Sequence, residues 1–277
     1  MNIKRKALHF FICSVLIAGC SADVSKKVFE IRGYNCEALT GIELKEELKE
    51  ISGLAYDKQQ NSFVAINDEQ GIIFVLDMNT FDIKNKFHFG EKGDYEEIKL
   101  LEGIIYVLRS DGTIFKMTYT GSDISNITTF DYQGPKAEFE SFYINQKNNQ
   151  LVLIPKNSKE SKANQSTTGY AIDASTGKFI SNGDFKIDWK ELSQSAYFHP
   201  SAVAIHPKTK EIYVLASIEK ALIVLDTSHK LIAEYKLPSK TFQQPEGITF
   251  DEQGNLYISN EAGDANPTIV KIPIQTK

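Results

Sequence analysis

Five short runs along the chain open on copies of one pattern: Ser52-Gly53-Leu54, Glu96-Glu97-Ile98, Glu140-Ser141-Phe142, Ser201-Ala202-Val203 and Glu246-Gly247-Ile248. Successive starts lie 44, 44, 61 and 45 residues apart. A recurrence at that period means that one supersecondary unit is copied, each copy burying its apolar faces against its neighbours. In the first copy the strand-length runs are Gly53–Tyr56, Ser62–Ile66, Gly71–Asp77 and Phe81–Phe89, parted by turns such as Asp57-Lys58-Gln59-Gln60-Asn61. Second strands recur at Ile104–Leu108, Gln150–Ile154, Glu211–Leu215 and Asn255–Ser259, and third strands at Thr113–Thr118, Gly169–Asp173, Ala221–Asp226 and Thr268–Pro273. Three of the five third strands end in Asp (Asp77, Asp173, Asp226), where an Asx turn reverses the chain. Short strands parted by polar turns are a β-meander. Four-stranded copies at this period are the blades of an all-β propeller.

The fifth copy runs out after its third strand, which would leave a bare sheet edge. The segment Val28–Leu44, with the strand-like stretches VFEIRGY and ALTGIEL, is the strand available to cover it and close the ring. The expectation is a single propeller domain over residues 28–277, with five four-stranded blades. A six-bladed ring is the alternative, and it needs a further unit that the sequence does not offer. The long interval holds two insertions. Lys156–Thr168 is polar and reads as a mobile loop. Asp188–Phe198 carries the only Trp and reads as a short flap near the channel, with a helical turn at Trp189–Gln194.

Residues 1–19 are a separate signal. Lys4, Arg5 and Lys6 precede an apolar stretch, Ala7–Ile17, which is too short to span a bilayer core of roughly 20 residues. It closes with Leu16-Ile17-Ala18-Gly19-Cys20, which resembles a bacterial lipobox with lipidation at Cys20. Residues 20–27 then form a tether. Ser21 in place of Asp resembles the outer-membrane sorting signal, so the expected location is the bacterial cell envelope, anchored in a membrane through Cys20. Removing the leader leaves Cys20 and Cys36 and no possible disulfide within the propeller. It takes away three basic residues and no acidic one, so the formal charge falls from −5 to −8. That balance argues against a nucleic-acid partner, whose phosphates demand a basic surface.

In a propeller the first strand of each blade lines the channel, so Ser52, Glu96, Glu140, Ser201 and Glu246 should form a ring at one mouth. Three confined carboxylates repel, and they bind a cation, take up protons or stay hydrated. Oxygen-only ligands at Glu96, Glu140 and Glu246 suit Ca2+ or Mg2+ rather than zinc. A second layer is expected where the second strands end: Asn67-Asp68-Glu69, Arg109-Ser110-Asp111, Lys156-Asn157, Ser217 and Asn260-Glu261. Arg109 there would clamp an acidic ligand or pair with Glu97. Among the histidines only His199 stands next to the ring, and no His pair has metal spacing.

The phrases GDYEEI (Gly93–Ile98), YVLRSDG (Tyr106–Gly112), HPSAVAIHPKTKEIYVLAS (His199–Ser217) and PEGITFDEQGNLYISNE (Pro245–Glu261) resemble the SdiA-regulated domain family. That resemblance implies a β-propeller, usually tethered to a bacterial envelope, without established catalysis. The family's strand-start motif pairs Glu or Ser with Gly, kept here at Gly53 and Gly247 and departed from at Glu97 and Ser141. The expected function is a membrane-anchored binding or scaffold module with an unidentified small ligand or envelope protein as partner and a possible Ca2+ in its acidic channel. The alternative is a calcium-dependent hydrolase of the lactonase or phosphotriesterase kind.

Overall fold

The structure, a computed structural model, describes residues 29–192, 197–263 and 265–275, with residues 181–184 described by their backbone alone. Twenty strands form five antiparallel four-stranded sheets. Blade 1 comprises β2 (Ile51–Asp57), β3 (Ser62–Asn67), β4 (Ile72–Asp77) and β5 (Ile83–His88). Blade 2 comprises β6 (Tyr95–Leu101), β7 (Ile104–Arg109), β8 (Ile114–Tyr119) and β9 (Ile124–Phe130). Blade 3 comprises β10 (Glu138–Asn145), β11 (Gln150–Asn157), β12 (Ser166–Asp173) and β13 (Phe179–Asp188). Blade 4 comprises β14 (Ala202–Ile205), β15 (Ile212–Ala216), β16 (Ala221–Leu225) and β17 (Leu231–Lys236). Blade 5 joins β18 (Pro245–Phe250), β19 (Leu256–Asn260) and β20 (Thr268–Ile272) to the early strand β1 (Thr40–Glu43). The innermost strands β2, β6, β10, β14 and β18 neighbour one another in a closed cycle. The expected five-bladed propeller is the fold.

The period-2 geometry of a strand explains why these blades pack. Side chains alternate between two faces, and each face of a blade meets a different neighbour. In β3, Phe63 and Ala65 join the cluster between blades 5 and 1, whereas Val64 and Ile66 join the one between blades 1 and 2. In β15, Ile212, Val214 and Ala216 face blade 3, and Tyr213 and Leu215 face blade 5. Inner strands buried on both faces therefore read as unbroken apolar runs rather than alternating ones. The five buried clusters correspond to the five blade-to-blade interfaces. Outer strands, such as β5 with its exposed Lys84, Asn85 and Lys86, meet solvent.

Ring closure comes from ALTGIEL, whose Thr40 to Glu43 pair antiparallel with Lys271 to Thr268. VFEIRGY does not form a strand where it is described. Gly33 turns the chain at φ +84°, and only Tyr34 bridges to the sheet, opposite Ile274. The turn Asp residues behave as expected. Asp77, Asp173 and Asp226 each accept two backbone N–H groups from the following turn.

The first insertion differs from a mobile loop. Strands β11 and β12 continue through it, and a short helix, α1 (Lys159–Asn164), caps the hairpin. Ser158 accepts from the Ser161 N–H at its start, and Gln165 takes the left-handed conformation at its end. The second insertion begins with a 3-10 turn at Trp189–Glu191, and Ser193 and Gln194 of the expected Trp189–Gln194 turn lie outside the described residues. The Trp189 indole N–H donates to Thr167 Oγ1 at 2.9 Å, so the two insertions lock together on blade 3.

Candidate functional site: the channel mouth

A bulge in four of the five inner strands aims the ring residues. Ile51 pairs with Asn67 and Gly53 with Ile66, which leaves Ser52 unpaired between them. The same slip leaves out Glu96 between Tyr95 and Glu97, Glu140 between Phe139 and Ser141, and Glu246 between Pro245 and Gly247. In blade 4 the Ser201 N–H and the Ala202 pairing both fall on Leu215, so Ser201 holds the same place. A bulge residue leaves the ladder and turns its side chain away from the sheet face, and bulges gather at rims and sites. The five recurring positions are therefore equivalent in register as well as in sequence. Their hydroxyls fasten neighbouring blades. Ser52 Oγ donates to Tyr95 O at 2.7 Å and Ser201 Oγ to Pro245 O at 3.1 Å.

The acidic members gather charge. Burial pushes the Glu96 carboxyl up to about 9, with Glu140 and Asp94 adding repulsion. Burial and then Glu246 push Glu140 up to about 8, although Lys156 pairs with it. Burial would lower Lys156, but Glu140 outweighs it and holds the ammonium above its ordinary value. Glu246 is also raised by burial, tempered by the Ser217 and Ser201 hydroxyls and by Lys156 and Lys220. Glu261 rises to about 8 through burial and then Glu246, Asp68 and Glu50. Near the rim, Glu50, Asp68 and Glu261 approach one another within 4.8 Å, close enough to share an ion. Burial and Glu50 raise Asp68 to about 6, and its Oδ1 is buried without a partner. One connected patch of protonatable oxygen thus runs from the channel axis to the rim between blades 5 and 1.

Beneath the mouth lies a pair that the apolar reading of the inner strand passed over. Glu97 is wholly buried, accepts from the Ile98 N–H at 3.0 Å, and reaches across the channel to the backbone of Val203 in blade 4. Burial raises its carboxyl, and Lys99, 2.8 Å away, opposes that rise. Glu97 stands where other blades carry Gly53, Ser141, Ala202 and Gly247. A Cβ at Gly53 would lie 2.7 Å from the backbone N of Ile98, so close approach does govern that position.

The remaining expected residues are placed as follows. Arg109 pairs with Asp111, Nη2 to Oδ2 at 2.7 Å and Nε to Oδ1 at 3.1 Å, and with Thr113 Oγ1, not with Glu97. His199 is held by Glu219, Nδ1 to Oε1 at 2.7 Å, and stacks on Tyr197. Asn67 donates to Glu47 O and accepts from Gln70 N–H, spanning two loops of blade 1. Asn260 donates to Thr268 Oγ1 at 2.9 Å, and its Oδ1 is buried without a partner. Cys36 is free and half-buried, its sulfur accepting from the Ile31 N–H. Cys20 lies outside the described residues.

The family model for SdiA-regulated proteins matches residues 31–263. The chain belongs to the SdiA-regulated family. No curated protein matches it in sequence. Among solved structures, the Myxococcus xanthus glutaminyl cyclase superposes with a TM-score of 0.59 at 12% identity, covering 86% of this chain and 96% of the cyclase. A glucose dehydrogenase superposes at 0.55 with 11% identity over 85% of this chain and 100% of the other. A luciferin-regenerating enzyme superposes at 0.52 with 12% identity over 85% and 95%. At such identities the likeness extends to the propeller alone, and the family member's site is read from its own residues.

Proposed function

We propose that this SdiA-regulated protein is a membrane-anchored envelope lipoprotein whose propeller binds a hard cation, Ca2+ in the first instance, at the acidic mouth. The observation that carries the reading is the convergence of Glu96, Glu140, Glu246 and Glu261, each raised by burial, and Glu96, Glu140 and Glu261 also by other carboxylates in the patch. Uncompensated carboxylate repulsion is relieved by a divalent ion, and a set made only of oxygen suits Ca2+ best. Lys156 already neutralises part of the charge at Glu140, and Lys156 and Lys220 temper Glu246, so Glu96 and the rim group carry the demand. The anchor is supported by the run from Lys4 to Cys20.

Calorimetric titration of the purified protein with Ca2+ tests the mouth. Heat of binding is expected for wild type, with affinity reduced about tenfold or more in Glu96→Gln, the loss of one charged ligand. Asp68→Asn measures the share of the rim. Absence of heat and of any melting shift in wild type contradicts the reading. For the anchor, Cys20→Ala should move the protein out of the membrane fraction. Retention there would contradict lipid attachment.

A further inference from the structure

The opposite end of the channel has the reverse electrostatic character. There the inner strands finish around a cavity of about 880 Å3, within the range of sites for small organic ligands. Its walls are apolar, formed by Leu100, Ile144, Val203, Ile205 and Ile248 among others. Its charged lining consists of Lys99, Lys147 and Lys210, and among the described residues no carboxylate lines it. In a chain of net charge −5 that separation is notable. The acidic groups of the same face, Asp57, Glu102, Asp251 and Glu252, line an adjoining depression of about 280 Å3 that shares Tyr56, Leu100 and Phe250 with the cavity.

Lys99 stands at the apex. Its side chain is 14% exposed, and Glu97 closes the channel behind it. An ammonium has three donors. Glu97 faces Lys99 from the channel side at 2.8 Å and is otherwise occupied by the backbone of Ile98 and Val203. Lys99 also lines the cavity, with donors beyond the one that Glu97 takes. Lys147 and Lys210 are exposed at its rim. A ligand that buries an apolar body against the walls and presents a negative group to Lys99 satisfies both surfaces at once, in a setting where a charge-assisted hydrogen bond is strong.

We infer that this cavity is a second binding site, for an anionic amphiphile: an apolar chain or ring system ending in a carboxylate that meets Lys99. The carboxylate lies toward the channel axis and the apolar body lies between β6, β10, β14 and β18. Because Glu97 blocks the axis, this site and the acidic mouth are separate.

Titration of the purified protein with dodecanoate, dodecanol and dodecylammonium, each below its micelle concentration, tests the assignment. Dodecanoate should bind with a single site per chain and at least about tenfold more tightly than dodecylammonium. Lys99→Met should weaken dodecanoate about tenfold or more, the loss of one charged hydrogen bond. Since that variant leaves Glu97 buried without its cation, Ile205→Trp is the second probe. Ile205 is half-buried on the wall, the Glu97–Lys99 pair is untouched, and an indole there extends into the cavity, so dodecanoate binding should weaken about tenfold or more while the fold remains. Undetectable dodecanoate binding, equal affinity for dodecylammonium, or wild-type affinity in a folded Ile205→Trp protein each overturns the assignment.

Discussion

At the scale of single residues, the channel is governed by what stands one place after each bulge. Gly53 meets the backbone of Glu97 and Ile98, which cannot move aside as a flexible side chain would. Gly53→Ala should therefore destabilise the protein by about 1–3 kcal/mol through overpacking. The check is the melting temperature, and an unchanged value would mean that the ring has room to relax. The mouth carboxylates make stability depend on pH. Glu96 ordinarily titrates near 4.5 and here near 9, so between those values the folded state holds a proton that the unfolded state has lost. Its contribution is complete below about pH 4.5 and declines as pH rises through 9. Glu96→Gln should flatten that decline in thermal scans between pH 5 and 9; an identical pH profile would show that Glu96 is not proton-loaded. These positions were legible in sequence because Glu and Ser recur at the same point of each copy. The Glu97–Lys99 pair was not, since Glu-Ile-Lys-Leu-Leu reads as the edge of an apolar strand until the channel across from it is seen.

At the scale of elements, the sheet edge decides whether the ring holds. Strand β20 is covered only by β1, through four paired residues. Deleting Thr40–Glu43 should expose that edge and convert monomer into aggregate on size-exclusion chromatography, as unpaired edges template association. A monomeric deletion variant with an unchanged melting temperature would show that β1 is dispensable. The need for such a strand followed from counting strands in the fifth copy, and of the two candidate stretches ALTGIEL supplies it. The insertion on blade 3 was harder to read. KNSKESKANQSTT is polar throughout, and six helical residues are too few for a 3.6-residue period to show. Its order comes from long-range contact, the Trp189 indole on Thr167, which no local pattern carries. Trp189 is 4% exposed, so acrylamide should quench its fluorescence weakly in the folded protein and strongly after unfolding. Strong quenching in the folded state would mean that the two insertions are not locked together.

At the scale of the whole molecule, one axis joins two sites of opposite charge. Four bulges, and Ser201 at the start of β14, turn oxygen ligands toward one mouth, Glu97 lies buried below them, and Lys99 lines an apolar cavity on the far side. Period and strand count were enough to place the ring, because a propeller translates sequence equivalence into rotational equivalence. The cavity was not legible, since its walls are core-like residues whose exposure depends on how far apart five blades stand at that end. The cation reading makes a linked prediction. Glu96, pushed up to about 9, holds a proton at neutral pH, and an ion must displace it to bind. The most direct test is Ca2+ calorimetry of the purified protein at pH 6, 7 and 8, in buffers of differing ionisation heat. Affinity should rise by about tenfold per pH unit for each proton displaced, with proton release to the buffer. Binding that neither strengthens with pH nor releases protons, or no binding at any of the three, would contradict it.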